Sequence, residues 1–210
     1  GPRGGMILCT KEFADYVDKG CPMVIGGPLP HVMAAKAVAL SEACSDSFKE
    51  YAHRIVKNAQ ALAEACMREG MKVATNGTDN HLLLLDVYSS FNLTGRQAES
   101  VLRDCGITLN RNTLPFDPHG PWYTSGLRLG TPAVTTLGMG EAEMKEIAAI
   151  IKYILANTRP ATAASGKPSK AKYIIEQEVR EAARQRVQAL LKDFPVYPEL
   201  DLEILEKFLV

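Results

Sequence analysis

The sequence predicts an α/β fold in which helices pack on one small sheet. The elements expected in the middle of the chain follow the order helix, strand, strand, helix, strand, strand, helix, which is typical of a compact α/β sandwich. Residues 81–87 are apolar on both faces, so we expect them to form a central strand. Two helical segments, about 47–69 and from Glu141 onward, carry an apolar stripe that recurs every three or four residues. These stripes are formed by Tyr51, Ile55, Ala59, Leu62 and Cys66, and by Met144, Ile147, Ile151 and Leu155.

Four elements are expected before the first of these helices. They are a short buried strand at residues 6–9, a short helical turn or helix at 11–17, a loop at 20–30 and a helix at 31–44. The loop is predicted because glycine and proline, which disfavour regular structure, are frequent in it. The helix at 31–44 is predicted because strong helix formers, many of them alanine, fill it.

The middle of the chain contains the remaining elements of the predicted sandwich. Thr94 and Gln97 have the spacing of a capping box, which predicts a helix that begins there and ends near Gly106. The other expected elements are a strand at 71–74, a turn at 76–80, a strand at 107–110, a loop at 112–120 and a strand around Arg128.

The C-terminal part is expected to be simpler. Residues 159–170 are small and polar and include proline and glycine, which predicts a flexible connector. A long amphipathic helix is expected at 174–191, a turn at 194–198 and a last short helix at 202–210.

Composition and charge exclude several classes of protein. The 210 residues are 46% hydrophobic and 23% charged, which is ordinary for a globular protein, and 24 basic residues balance 24 acidic ones. A balanced charge gives no overall field that attracts nucleic acid or an anionic membrane. No apolar run is long enough to span a bilayer. An odd set of five widely spaced cysteines argues against a disulfide framework, so a reducing, cytoplasmic location is expected.

Arg128 is the strongest candidate for a binding residue. In a strand, Leu127 and Leu129 point to one face, and Arg128 points to the other together with Gly126 and Gly130. We expect these two glycines to leave the backbone bare beside a guanidinium that can hold a carboxylate by two parallel hydrogen bonds. A surface arginine on an edge strand explains the local sequence equally well.

Other candidates have ordinary explanations as well. Gly26 and Gly27 can offer backbone N–H groups to a phosphate just before a helix, and Arg3 can add a cation, but a bend and a solvated arginine explain the same residues. His81 can pair with Asp79, although a turn that leads into a buried strand explains them too.

The remaining reactive side chains give weaker signals. His119 lies in a loop where it is free to meet a ligand, whereas His31 and His53 are expected in helices. No two histidines have ligand spacing, so no metal site is expected. The five cysteines are interpreted as packing residues, and Ser125 lacks the Gly-x-Ser-x-Gly context of a nucleophile.

Seven motifs spread over nearly the whole chain give it a family resemblance. They are GPRGGMIL at 1–8, GGPLPHV at 26–32, GTDNH at 77–81, LTG at 93–95, TLNRN at 108–112, TSGLRLGTPA at 124–133 and FPVYP at 194–198. With them the chain resembles the C-terminal portion of serine hydroxymethyltransferase, of a chlamydial type. That family uses pyridoxal phosphate to interconvert serine and glycine and passes a one-carbon unit to tetrahydrofolate.

The resemblance implies a role for each candidate residue. Arg128 would bind the carboxylate of the substrate amino acid. Gly26 and Gly27 would donate to the cofactor phosphate across the interface of a homodimer, and Arg3 would lie near the cofactor. The family usually has a glutamine where this chain has Ile25.

Asn112 would contact the pterin of the folate, and His119, Gly120 and Pro121 would line the same pocket. A second departure is Cys21, which stands where the family usually has an aromatic residue. These implications make the expected fold the α+β C-terminal domain of a fold-type I, aspartate-aminotransferase-like transferase.

The resemblance also implies four segments. Residues 1–30 would be the end of the large cofactor-binding domain, 31–158 the small C-terminal domain, 159–172 a flexible connector and 173–210 a helical extension. The chain has no initiator methionine, and the Schiff-base lysine of the family lies in a Thr-His-Lys motif upstream of Gly1. We therefore expect this chain to contain no catalytic residue of its own and to be inactive alone. The alternatives are an inactive folded module that binds a homologous partner chain and a free-standing protein that binds small anions.

Overall fold

A computed structural model describes residues 3–163 and 165–198. The chain divides into two compact units, Gly1–Ala52 and His53–Val210. None of the helices in the described ranges is long and apolar enough to cross a membrane. The division falls inside a helix, whereas the sequence places a boundary near residue 30.

The first unit is helical. A 3-10 turn at Lys11–Phe13 leads into α1 (Ala14–Ile25), which is followed by α2 (Pro30–Ala43) and by the start of α3 (Asp46–Arg68). Pro30 occupies the first turn of α2, where its missing N–H costs nothing. The structure confirms the predicted helix at 31–44 and the one at 47–69.

Two predictions for this unit are wrong. Residues 6–9, predicted as a buried strand, have no strand partner in the described part of the chain and are exposed. The predicted loop at 20–30 is helical as far as Ile25, with Pro22 inside α1. Composition predicts a loop here because proline disfavours helix, but α1 is already formed from Ala14 and continues through Pro22 to Ile25. It ends at Gly26, whose φ of 73° is the conformation that glycine adopts most readily.

The second unit contains a four-stranded antiparallel sheet. Its strands are β1 (Lys72–Val73), β2 (Leu82–Asp86), β3 (Asn110–Asn112) and β4 (Gly126–Gly130), and their order in the sheet is β1-β2-β4-β3. The structure thus confirms that β2 is an inner strand. The strand predicted at 107–110 instead covers Asn110–Asn112. Its pairing with β4 begins at Asn110, which lies opposite Arg128.

Helices cover this sheet and bury one core. The helices of the second unit besides α3 are α4 (Val87–Phe91), α5 (Gly95–Asp104), α6 (Pro132–Thr136), α7 (Glu141–Ala156) and α8 (Gln177–Lys192). Leu83 and Leu85 of β2 pack with Ile151 of α7 and Leu102 of α5, all of them buried. The predicted α/β class, a small sheet packed with helices, is confirmed.

The predicted capping box starts α5. The Thr94 hydroxyl accepts a hydrogen bond from the Gln97 N–H at 3.2 Å, and the Gln97 side-chain oxygen accepts one from the Thr94 N–H at 2.9 Å. Both residues are buried, so these bonds satisfy helix-end donors away from water.

The segment predicted as a flexible connector, 159–172, instead forms most of a β-hairpin. Its strands are β5 (Thr158–Thr162) and β6 (Pro168–Ile175), which pair antiparallel. The Gln97 side-chain amide donates to the carbonyls of Ser169 and Lys172, at 2.7 and 2.8 Å. The composition of the segment does not reveal this anchor, because Gln97 lies more than seventy residues earlier. The helix predicted at 174–191 begins later, at Gln177, because β6 continues to Ile175. The short helix predicted at 202–210 lies outside the described residues.

Candidate functional site

Arg128 stands on the exposed face of β4. Leu127 and Leu129 are buried while Arg128 is exposed, as the alternation predicts. Leu84 of β2 and Asn110 of β3 are its neighbours across the sheet, so Arg128 lies on an inner strand and the edge-strand alternative is wrong. Within residues 3–163 and 165–198, no carboxylate forms an ion pair with its guanidinium. Its donors are therefore available to an anion from elsewhere.

The two glycines beside Arg128 differ from each other. A Cβ placed on Gly130 would have its nearest neighbours 3.7 Å away, an ordinary contact distance. A Cβ placed on Gly126 would lie 2.7 Å from Leu114 Cδ2 and 2.9 Å from the Asn112 carbonyl oxygen. The expectation that both glycines leave bare backbone is wrong at Gly126, since Leu114 fills that space.

A pocket of about 730 Å³ opens beside this strand. Arg128 lines it together with His81, Asn110 and Gly130, and most of the other lining residues are apolar ones from α7, α8 and the segment before β3. Leu129 and Ile151, which belong to the buried core, also line it, so the pocket reaches the face of the sheet opposite to the Arg128 side chain.

The loop between β3 and β4 is held by a single carboxylate. Asp117 accepts hydrogen bonds from the backbone N–H groups of Leu114, His119 and Ser125, at 3.0, 2.8 and 2.8 Å, and from the Ser125 hydroxyl at 2.6 Å. Burial by itself raises the pKa of Asp117, but the hydrogen bonds from Ser125, Leu114 and His119 outweigh it and leave the pKa lowered. The loop is therefore closed on the start of β4 by an ionised side chain.

His119 belongs to the same network. Its Nδ1 lies 3.0 Å from the Ser125 hydroxyl, and its ring packs edge-on against Tyr88 with the centroids 4.5 Å apart. The Gly120 carbonyl accepts the N–H groups of Tyr123 and Thr124, both at 3.0 Å, and so begins the turn that leads into β4.

Asn112 lies on β3 opposite Gly126, and Pro121 is exposed at the end of the loop. The Asn112 side-chain amide donates to the Thr113 carbonyl at 2.7 Å, which leaves its oxygen free of bonds within the described residues. The structure thus places Asn112, His119, Gly120 and Pro121 on one strand and loop that lead directly into the Arg128 strand.

Arg3, Gly26 and Gly27 belong to the first unit. The Gly26 N–H already donates to the Pro22 carbonyl at 3.2 Å, as the last bond of α1. In the part of the chain that the structure describes, the Gly27 N–H has no backbone partner, and a Cβ there would meet nothing within 4 Å. Arg3 is exposed. Of the two glycines predicted to face a phosphate, Gly27 alone has its donor open.

The weaker candidates resolve toward their ordinary explanations. The described contacts of His81 include its carbonyl, which accepts the Thr131 N–H at 3.0 Å, but no bond to Asp79. The turn before it is held by Asn80, whose side chain accepts the Leu82 N–H at 2.9 Å. His31 lies in α2 and His53 in α3, as expected. The described residues contain no group of three side chains suited to hold a metal ion.

The interpretation of all five cysteines as packing residues holds for two of them. Cys66 and Cys105 are buried, and burial raises the pKa of both thiols, that of Cys66 to about 12. Cys9 and Cys44 are exposed and Cys21 is half-buried, so packing does not explain them.

Sequence reasoning missed Asp117 and the surroundings of Trp122. An aspartate in a proline-rich turn is a usable signal, because its side chain commonly bonds backbone N–H groups two residues on. Trp122 has Arg96 and Arg111 over its ring, at 5.1 and 5.7 Å from the centroid. No local signal links these three residues, since Arg96 lies on α5 and Arg111 on β3.

Comparison with known proteins identifies the relatives of this chain. The family model described as serine hydroxymethyltransferase matches residues 1–151. A protein named serine hydroxymethyltransferase from Treponema pallidum is 61% identical over 96% of the chain, and those from Cutibacterium acnes and Chlamydia muridarum are 57% and 53% identical over 96% and 98%. The chain spans only 35%, 41% and 41% of the length of these three relatives.

Proposed function

This chain belongs to the serine hydroxymethyltransferase family, and on that premise we propose that it supplies the substrate-carboxylate and folate-binding residues of such an enzyme. The reaction converts serine and tetrahydrofolate to glycine and 5,10-methylenetetrahydrofolate, and so contributes to one-carbon metabolism and glycine biosynthesis. The complete gene product is a cytoplasmic homodimer in this proposal. Its small domain has the α/β architecture of fold-type I transferases that use pyridoxal phosphate.

The exposed guanidinium of Arg128, which has no ion-pair partner among the described residues, is the observation that carries the proposal. It lies on an inner strand, which fixes the position of its backbone, and a guanidinium can hold a carboxylate by two parallel hydrogen bonds. Arg128 binds the carboxylate of serine or glycine and thereby fixes the orientation of the bonds at the α-carbon.

The residues present fit a phosphate group in part. Among the residues that the structure describes, the Gly27 N–H has no backbone partner and a Cβ at Gly27 would meet nothing within 4 Å. Arg3 is an exposed cation, whereas the Gly26 N–H donates within α1. We therefore assign the phosphate contact to Gly27, with Gly26 shaping the turn and Arg3 adding positive charge. Pyridoxal phosphate, when bound, supplies the electron-withdrawing ring that permits bonds at the α-carbon to break.

The folate contacts fall on the strand and loop around Asn112. Its free side-chain oxygen accepts a hydrogen bond from the pterin, and His119, Gly120 and Pro121 line the remainder of the pocket. The assignment of Asn112 rests on the motif at 108–112, and those of His119, Gly120 and Pro121 rest on their place in the loop that Asp117 holds.

This 210-residue polypeptide by itself is inactive in the proposal. None of its four histidines, His31, His53, His81 and His119, is followed by lysine, so the Thr-His-Lys motif of the family does not occur in it. The gene sequence upstream of Gly1 tests this point directly. An in-frame Thr-His-Lys motif supports a complete enzyme, and cofactor absorbance with serine cleavage by the isolated chain would overturn the proposed inactivity.

The substitution Arg128→Lys in the complete gene product tests the assignment of the carboxylate. Lysine keeps the charge but loses the paired donors, so we expect kcat/KM for serine to fall by about a hundredfold or more. The matched control is Arg68→Lys, because Arg68 is exposed and its described ion pair is a surface one, with Glu64. Activity of Arg128→Lys within a few-fold of the unsubstituted enzyme would refute the role.

A second candidate, an inactive module that binds a homologous chain, is favoured by one observation. The first unit exposes several large apolar side chains, among them Leu8, Met23, Val24 and Ile25, which are 76% exposed or more. Exposed apolar surface of this kind is typical of a surface that another polypeptide covers. Sedimentation of the isolated chain distinguishes this candidate from the enzyme proposal. A chain that sediments as a monomer argues against the binding module.

A further inference from the structure

The hydrogen-bond network under the β3–β4 loop determines the state of His119. Both oxygens of Asp117 already accept two donors each: Oδ1 accepts from the His119 N–H and the Ser125 hydroxyl, and Oδ2 accepts from the N–H groups of Leu114 and Ser125. A carboxylate with four donors aimed at it has no position for a proton of its own, so it is ionised and acts only as an acceptor.

The Ser125 hydroxyl therefore has a fixed direction. It carries one hydrogen, and that hydrogen is directed to Asp117 Oδ1 at 2.6 Å. Ser125 is buried, so its hydroxyl does not exchange this partner for water. What remains on the oxygen are its lone pairs, and these face His119 Nδ1 at 3.0 Å.

His119 must then bring the hydrogen to this contact. A serine oxygen that has already donated its hydrogen can only accept, so Nδ1 of the imidazole is protonated and donates to it. In neutral imidazole one nitrogen carries the hydrogen and the other carries a lone pair. When the ring of His119 is neutral, its lone pair is therefore on Nε2, and Tyr88 packs edge-on against the ring and limits its rotation.

We propose that Asp117 is a positioning residue, which acts through Ser125 to hold His119 in the tautomer with hydrogen on Nδ1 and to make Nε2 a fixed hydrogen-bond acceptor. In free histidine the hydrogen favours Nε2, so the network reverses the usual polarity of the ring. The ligand group that Nε2 recognises is an N–H donor. This last step rests on the proposed function, in which the loop lines the folate pocket and the donor belongs to the bound folate.

Nitrogen NMR of the complete gene product, labelled with 15N-histidine, measures the tautomer. The spectrum is recorded at about pH 8, where free histidine is neutral, and His119→Gln identifies the signals of His119. We expect a protonated Nδ1 and an unprotonated Nε2 in the unsubstituted protein, and a protonated Nε2 in Ser125→Ala and in Asp117→Asn.

Ser100→Ala is the matched control, since Ser100 makes one local bond to the Arg96 carbonyl and has no described contact with His119. It should leave the His119 signals unchanged. Circular dichroism identifies which variants fold, and either folded variant is sufficient for the test. Hydrogen on Nε2 in the unsubstituted protein overturns the proposal, and so does a folded Asp117→Asn whose His119 signals do not move.

Addition of 5-formyltetrahydrofolate separates this inference from the proposed function. If the folate binds, the Nε2 signal should shift toward the position of a hydrogen-bonded nitrogen. Binding that leaves Nε2 unmoved overturns the acceptor role and leaves the folate site in place. Absence of any binding refutes the folate part of the proposed function, while the tautomer in the unliganded protein still decides the role of Asp117.

Discussion

At the scale of the residue, two charged side chains in this chain do opposite things. Arg128 is exposed and has no carboxylate partner in the described residues, so its charge is directed to a ligand. Asp117 receives four hydrogen bonds from its own loop and the start of β4, so its charge is used within the fold. An ionised group with a full set of internal partners stabilises the structure, whereas one without them is available for binding.

Asp117 should make stability depend on pH in the acid range. Its pKa is lowered in the folded state, so its contribution is present above the ordinary carboxyl pKa of about 3.9 and is lost as the pH falls through the lower, folded pKa. We expect Asp117→Asn to lower the free energy of unfolding by about 1–3 kcal/mol at neutral pH. Urea unfolding of both proteins at neutral pH and at about pH 3 measures the difference, which should narrow in acid. An equal difference at both values of pH contradicts the assignment.

At the scale of the element, the β3–β4 pair is built around the absence of a side chain at Gly126. A Cβ there would collide with Leu114 and with the Asn112 carbonyl, and the carbonyl cannot move without disturbing the pairing of the strands. The strand that carries Arg128 therefore depends on this glycine for its packing rather than for an open binding surface.

We expect Gly126→Ala to destabilise the protein by about 1–3 kcal/mol, the usual cost of overpacking. Gly120→Ala is the control, because a Cβ at Gly120 meets nothing within 4 Å. Urea unfolding of the two variants gives the comparison. Equal free energies of unfolding for the two variants would contradict the prediction, because they would mean that β4 accommodates a methyl group at Gly126.

The hairpin of β5 and β6 is the second element whose position depends on one side chain. Gln97 is buried and donates to two carbonyls of β6, so Gln97→Ala removes two partly buried hydrogen bonds that hold the hairpin. We expect a loss of about 2–4 kcal/mol and faster hydrogen exchange at residues 158–175. The control is Gln177→Ala, which removes an exposed amide whose described side-chain hydrogen bond is to Glu181. Unchanged exchange in the hairpin would mean that other contacts hold it.

At the scale of the whole molecule, the two units differ in how many of their side chains are buried. Every described residue of the first unit is exposed or half-buried, while the second unit encloses a continuous apolar core. A segment with little burial opens at low free energy, so its amides and thiols are accessible in the native protein.

Thiol labelling of the native chain tests this difference. Cys9 and Cys44 should react within the time of ordinary exposed thiols, whereas Cys66 and Cys105 should react only when the second unit unfolds. Burial reinforces the contrast by raising the pKa of Cys66 and Cys105, since the thiolate is the reactive form. Mass spectrometry of the labelled peptides, with urea-unfolded protein as the control, gives the order. Rapid labelling of Cys66 in native protein contradicts the described core.

Much of the second unit could be predicted because its signals are local. The capping box of Thr94 and Gln97, the apolar residues of β2 and the stripe of α7 each lie within one element, and the structure has all three. The prediction at 6–9 failed because an apolar run indicates burial without naming a partner, and the described residues provide none. The prediction of a flexible connector at 159–170 failed because a polar composition does not show that the segment has a partner. That partner is Gln97 of α5, whose side chain donates to two carbonyls of β6.

The sequence alone determined three features: the α/β class follows from the order of the elements, the inner position of β2 from its apolar residues on both faces, and the exposure of Arg128 from the alternation along its strand. The motifs in it also predicted the family. Tertiary structure alone decided that Leu114 fills the space at Gly126, that the Gly26 N–H is occupied while that of Gly27 is open, and that Asp117, Ser125 and His119 form one network. Those facts depend on distances between residues that lie far apart or on opposite sides of a turn, which no periodicity along the chain records.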